Sequence, residues 1–396
     1  MQVLNGQQPN KAGKTLDFKD HLAEILQTAP QQSIVLSASG GNENARYSVS
    51  GEDLTQDGIL LNTNFNRYSL RANIDAKLTK RLNLKVNFNP SFTNKLNSGS
   101  SSIDGITSVS GTGSAVYNSM VIPEYYSLKN PDGTYFTFGS GLDAVVQAAN
   151  PLALVELINN KQRTLFILGN VNLEYSILEE LKLNVMLGTN LAAQKGMTFK
   201  PFLPAFENLP ATGTDNASLT YNWLTEYTLN YSKSFGKHFI TGLAGFTVQK
   251  QQEFTNTITS NKYPNNLVPA LSATSGIITN GSSNESAWSL ISYLARVNYN
   301  FASKYYVTGS IRTDGSSRFG LNNKWGLFPS GALAWRISQE RFFANITFIT
   351  ELKLRGRWGN TGNNNIGNYH SIATVRYLKY PLGNQAVGPF SPGNPA

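Results

Sequence analysis

The chain has 396 residues, enough for one large all-β domain or two ordinary ones, and it contains no cysteine, which excludes a disulfide framework and a thiolate metal site. Only 14% of residues are charged, whereas 18 Tyr and 21 Phe dominate the aromatics, a mix that suits long strands better than a charged helical surface. The net charge of +9 is carried by Lys and Arg scattered singly through alternating segments, so a polar wall accounts for it and nucleic-acid binding does not.

Residues 1–32 read as a polar leading segment or loop, with one short amphipathic stretch, Phe18 to Leu26, of about two helical turns. No apolar signal region opens the chain, and no segment approaches the ~20 apolar residues of a spanning helix. The start is therefore expected to be internal to a longer protein, and so is the Pro- and Gly-rich end PFSPGNPA. From residue 33 onward the pattern turns to strands. Ser33 to Gly40 and Arg46 to Leu54 flank the tight turn GGNEN. After a longer connection, Tyr68, Leu70, Ala72, Ile74, Ala76 and Leu78 share one face while Arg67, Ser69, Arg71, Asn73, Asp75 and Lys77 share the other. Leu82, Leu84, Val86 and Phe88 resume the alternation so soon that only an antiparallel hairpin can join the two runs.

The same plan recurs around 162–176 and 181–194, 218–234 and 238–252, and 287–301 and 304–313, each pair joined by a short turn. The intervening connections, 95–161, 195–217, 253–286, 314–324 and 359–369, are longer. Alternating short and long connections between amphipathic strands are the pattern of an outer-membrane barrel, with short turns periplasmic and long loops extracellular. The periodicity predicts an all-β, antiparallel transmembrane β-barrel segment of about thirteen strands. Period two alone also fits a soluble or surface-anchored all-β glycan-binding protein, which would cover its apolar face with a second sheet.

The chain offers little to a catalytic reading. His21, His238 and His370 are far apart, with no HExxH spacing; no GxSxG elbow occurs; GTGSAV at Gly111 lacks the strand and helix of a phosphate loop; and the Asp-Gly steps lack calcium-loop spacing. No catalytic residue, cofactor site or metal site is assigned, and no enzyme activity is expected. The 95–161 connection is the best place for substrate contact. Its aromatics Tyr117, Tyr125, Tyr126, Tyr135 and Phe136 sit among polar residues, where they would either stack on sugars or grip peptide, or pack the loop on its own barrel.

The segment from Arg312 to Trp335 carries the most specific motif: DGSSRFG, then NNKWG, FPS and AWR. Its residues Arg312, Asp314, Gly315, Ser316, Ser317, Arg318, Phe319, Gly320, Trp325 and Gly326 resemble the signature of SusC/RagA-type TonB-dependent transporters of the Bacteroidetes outer membrane. SGGNENARYSVSG at 39–51, ANPLALVE at 149–156 and RWGNTGNNNIGNY at 357–369 resemble further parts of that family, in the family's order. The resemblance implies that residues 33–396 are a partial barrel domain, lacking plug, TonB box and final strands, in a barrel of ~22 strands. It further implies outer-membrane lipid as surroundings, import of oligosaccharides or peptides, a SusD-like surface lipoprotein above the pore and TonB acting through the missing N-terminal region. A siderophore receptor of the same architecture would differ only in cargo.

Overall fold

The computed structural model describes residues 18–97, 114–138, 148–202, 211–271, 277–343, 346, 348–379 and 385–393. Twelve strands form one antiparallel meander in chain order: β1 Gln31–Gly41, β2 Ala45–Asp57, β3 Asn64–Lys77, β4 Leu82–Asn97, β5 Asn159–Ser176, β6 Leu181–Lys200, β7 Thr212–Phe235, β8 His238–Asn261, β9 Ile277–Phe301, β10 Tyr305–Ser316, β11 Trp325–Arg336 and β12 Lys353–Gly359. A separate hairpin pairs β13, Thr374–Lys379, with β14, Gln385–Ser391. The strand count agrees with the periodicity, but the strands overrun their expected ends. The 24 and 25 residues of β8 and β9 take in most of the connection expected at 253–286, and β6 and β7 shorten the one at 195–217. These extensions are Thr-, Asn- and Ser-rich on both faces, so the ladder continues where hydropathy no longer alternates.

Register sorts the side chains into two faces. On β9 to β11 one face collects Val297, Val307, Ile311 and Leu333, and the other Arg296, Asn298, Ser310, Arg312 and Ser330. Across β3 to β6, Ile74, Val86, Val171 and Leu187 lie in one row, and Asn73, Asn87, Asn170 and Gly188 in the next. The polar face is knitted by hydrogen bonds: Asn87 donates to Asn170 (2.9 Å), Asn298 to Thr241 (3.0 Å) and Thr308 to Asn298 (2.9 Å), while Ser310 and Ser330 share a bond of 2.6 Å. Among the described residues nothing covers the apolar face, with Val297 55% and Leu333 63% exposed.

Two rows of rings border that apolar face. Tyr227, Phe246, Tyr293 and Trp325 succeed one another at centroid distances of 6.2, 5.1 and 6.1 Å. Nearer the short turns, Phe235, His238, Phe301 and Tyr305 do the same at 5.3, 4.9 and 6.3 Å. On β7, β8 and β9 the rows lie eight residues apart. Eight residues rise about 27 Å along a strand, or about 20 Å at a barrel tilt of ~40°, near the ~25 Å apolar band between the two aromatic girdles of an outer-membrane barrel.

The turns 42–44, 78–81, 177–180, 236–237 and 302–304 share one end of the sheet. The connection 337–352 breaks the expected alternation, for it is long and lies at that short-turn end. It is held there by Glu340, whose carboxylate accepts from Lys304 (2.9 Å), Tyr305 (2.7 Å) and Trp335 (3.2 Å). At the opposite end three short helices, α1 His21–Ile25, α2 Ala115–Val121 and α3 Pro151–Leu157, pack together, and with the segments beside them they form the main buried cluster among the described residues, including Ile25, Leu128, Leu154 and Val155. The connection expected as a plain loop at 95–161 therefore folds in part. Most of its SSSIDGITSVSGTGS run, with Gly111 and Asp104, lies outside the described residues, as does most of the leading segment.

Candidate functional site

The signature segment is a brace between two loops. Arg312, on the polar face of β10, holds Asp314 through Nε at 2.7 Å and Ser292 through a terminal nitrogen at 3.0 Å. Gly315 lies under Trp325, where an added Cβ would come within 2.8 Å of the indole, so the ring's seat requires glycine. Ser316 Oγ accepts from the Arg318 amide, and Ser317 Oγ accepts from the Ser289 amide of β9 at 2.9 Å. Arg318 then crosses to the connection after β12, donating to Asn368 Oδ1 (2.9 Å) and the Asn364 carbonyl (3.0 Å) while its guanidinium covers Trp288 at 4.7 Å. Tyr369 secures the same connection by accepting from the Ala287 amide at 2.9 Å. The motifs at 312–326 and 357–369, separate in sequence, thus meet through Arg318. Gly320 closes the turn, its carbonyl accepting from Asn323, while Phe319 and Gly326 line a cavity of about 700 Å³ with Arg312, Asp314, Lys324 and Asn364.

The aromatics of the long connection are divided by the helical unit at the same end. Tyr126 and Phe136 pack on its core; Tyr126 lies 5.7 Å from both Phe136 and Phe138. Tyr135 donates to Glu156, which also pairs with Lys129 at 3.3 Å; burial first, then the Glu156 carboxylate, push the Tyr135 phenol above its usual range. Tyr117 and Tyr125 remain exposed at 46% and 44%, so of the five rings these two have faces open to a ligand. The ANPLALVE motif explains itself locally. Asn150 is fully buried; its Oδ1 caps α3 by accepting from Leu152 and Ala153, and its Nδ2 donates to the carbonyls of Leu128 and Phe136. Pro151 then opens the helix, where its missing N–H is harmless. The motif at 39–51 forms the β1–β2 turn, with Asn42 Oδ1 accepting from Asn44 and Ala45.

One polar-face feature leaves no run of like residues in the sequence. Arg296 on β9 and Arg355 and Arg357 on β12 stand on one wall, brought together by register across four strands, not by closeness in sequence. Their i, i+2 spacing on β12 was the available signal. Among the described residues no group of three or more His, Cys, Asp or Glu is placed to hold a metal ion.

No family model matches the chain. It is 31% identical over 380 residues to "TonB-dependent receptor P3" of Formosa agariphila, covering 94% of this chain and 36% of that protein. It is 28% identical over 395 residues to "TonB-dependent receptor SusC" of Bacteroides thetaiotaomicron, covering 93% and 37%. Among solved structures, the RagAB peptide transporter superposes with a TM-score of 0.82 over 96% of this chain and 42% of that one, a likeness of fold at 22% identity. The chain thus spans a little over a third of the length of these curated relatives.

Proposed function

The chain belongs to the SusC/RagA-type TonB-dependent receptors, and from that premise we propose that its twelve-stranded sheet is a stretch of the wall of an outer-membrane transporter that imports oligosaccharides or peptides. The apolar face meets lipid and the polar face lines the pore. The end with long connections is extracellular and lies under a SusD-like lipoprotein; the end with short turns is periplasmic, where TonB energises the parent protein.

One observation carries the reading: an apolar face, uncovered among the described residues and bordered by two rows of rings eight residues apart, backed by a face that carries most of the strands' polar side chains. A wall in lipid needs both, because every backbone group is satisfied by its neighbours and only the outer side chains touch hydrocarbon. Tyr117 and Tyr125, at the extracellular end, are our candidates for first contact with cargo, and the Arg318 brace keeps the neighbouring loops in place. The test is a strain lacking the gene that encodes this sequence. It should lose uptake of one class of oligomer, and reintroduction of the gene should restore that uptake only while the proton-motive force and TonB are intact. Restored uptake independent of TonB would contradict the proposal.

A further inference from the structure

Resting on the transporter reading above, we propose that the pore wall formed by β9 to β12 carries a site for oxyanion groups, carboxylate or sulfate, borne on an oligosaccharide, with Arg296 and Arg357 as its ligating residues. The charge balance is local. Residues 286–359 hold ten Lys and Arg against three Asp and Glu, so most of the chain's +9 lies in this stretch. All three acids are engaged: Asp314 by Arg312 at 2.7 Å, Glu340 by Lys304 at 2.9 Å and Glu351 by Arg336 at 3.7 Å. Lys353 lies over the Tyr306 ring at 4.1 Å and Arg318 is bound to Asn368. Of the five cations that remain, Lys324 and Arg341 lie in connections, and Arg296, Arg355 and Arg357 stand on the strands with no ion-pair partner among the described residues.

Their surroundings are open. Arg357 faces Ala332 and Arg355 faces Ala334, positions where a cross-strand acid would ordinarily pair with them. Arg296 faces Ser310, and a cavity of about 440 Å³ joins it to Arg357 over Thr308, Ser310, Ser330 and Ala332. Arg296 also sits between Tyr293 and Phe301, members of the two aromatic rows, so its charge stands at bilayer depth on the pore side, where ionised groups mark pathways. Guanidiniums present paired donors that match the two oxygens of a carboxylate or sulfate. The three strand spacings from β9 to β12 amount to about 14 Å, enough to hold anionic groups on successive sugars. The floor favours a sugar over a peptide: it offers hydroxyls and small residues, whereas an extended peptide needs pockets for alternate side chains.

The test uses the detergent-solubilised outer-membrane protein that carries this sequence, titrated calorimetrically with hexagalacturonate, its fully methyl-esterified form and hexaglutamate. Hexagalacturonate should bind with an affinity that falls as salt rises, and the ester should not. Arg296→Gln and Arg357→Gln should each weaken binding roughly tenfold, with the folded barrel retained on unheated gels, and Arg357→Lys should keep part of the affinity. Absent binding by the unaltered protein, equal binding of the ester, or undiminished binding in the double variant would overturn the proposal; the last would mark these arginines as partners of the protein's own carboxylates. Tighter binding of hexaglutamate would overturn the assignment to sugar. Binding that holds while labelled hexagalacturonate fails to enter cells would leave the site standing and count against the transport reading instead.

Discussion

Val297→Arg is the substitution that separates a membrane wall from a soluble sheet. Val297 sits on the apolar face of β9, four residues from Tyr293 and four from Phe301, and pairs with Gly242 and Gly309. Four residues at a tilt of ~40° put it about 10 Å from either ring row, close to the bilayer midplane. An arginine there should cost about 2–4 kcal/mol, which lowers the folding constant roughly thirty- to a thousandfold. The control is Asn230→Arg. Asn230 adjoins Tyr231, which lies in the same cross-strand row as Gly242 and Val297, but it lies on the polar face and makes a single 3.4 Å hydrogen bond to Thr228. It should cost under ~1 kcal/mol, because the cation stays in water. The assay is denaturant unfolding of the parent protein in lipid vesicles. Equal losses at the two positions would refute the assignment of faces.

Arg318→Ala should free the connection after β12 by removing two charge-assisted hydrogen bonds and the cover over Trp288, a local loss of about 1.5–3 kcal/mol; protease cleavage within 360–373 should quicken, and an unchanged rate would show that the brace is idle. Asn150→Ala should destabilise the helical unit by about 2–4 kcal/mol, since it uncaps α3 and strands the carbonyls of Leu128 and Phe136; hydrogen exchange across 115–158 reads it, and Asn150→Asp should fall between because it keeps the cap and loses the donors. Glu340 is held down to about 2 by the Tyr305 hydroxyl first, then by Lys304 and Trp335. Because its folded value is depressed, its contribution is full above the ordinary carboxylate range and is lost as pH falls through about 2. The emission of Trp335 should therefore titrate near pH 2, and a midpoint near 4.5 would contradict the network.

The strands whose two faces differ were legible in the sequence, as at 67–78 and 82–89, because hydropathy there follows the pleat. The outer reaches of β7, β8 and β9 were not, since Thr, Asn and Ser stand on both faces and only the ladder marks them as strand. Helix α3 left a sign in Asn150-Pro151, a cap followed by the residue that suits a helix's first position, but seven residues give too few turns for a 3.6-residue period to stand out. The meeting of Arg318 with Asn364 and Asn368 was hidden because contact across 46 and 50 residues depends on strand register. Register hid the unpaired arginines as well. Single cations in alternating strands look scattered along the chain and gather only when β9 to β12 are set in register.

The most direct test of the central claim is a nitroxide scan of β9 from Ala295 to Tyr299 in the parent protein, reconstituted in lipid. Labels at Ala295, Val297 and Tyr299 should be relaxed preferentially by oxygen, which concentrates in hydrocarbon, and labels at Arg296 and Asn298 by a water-soluble nickel chelate, giving an alternation of period two. A flat profile, with the nickel reagent equally effective at all five positions, would contradict a wall that has lipid on one face and a pore on the other.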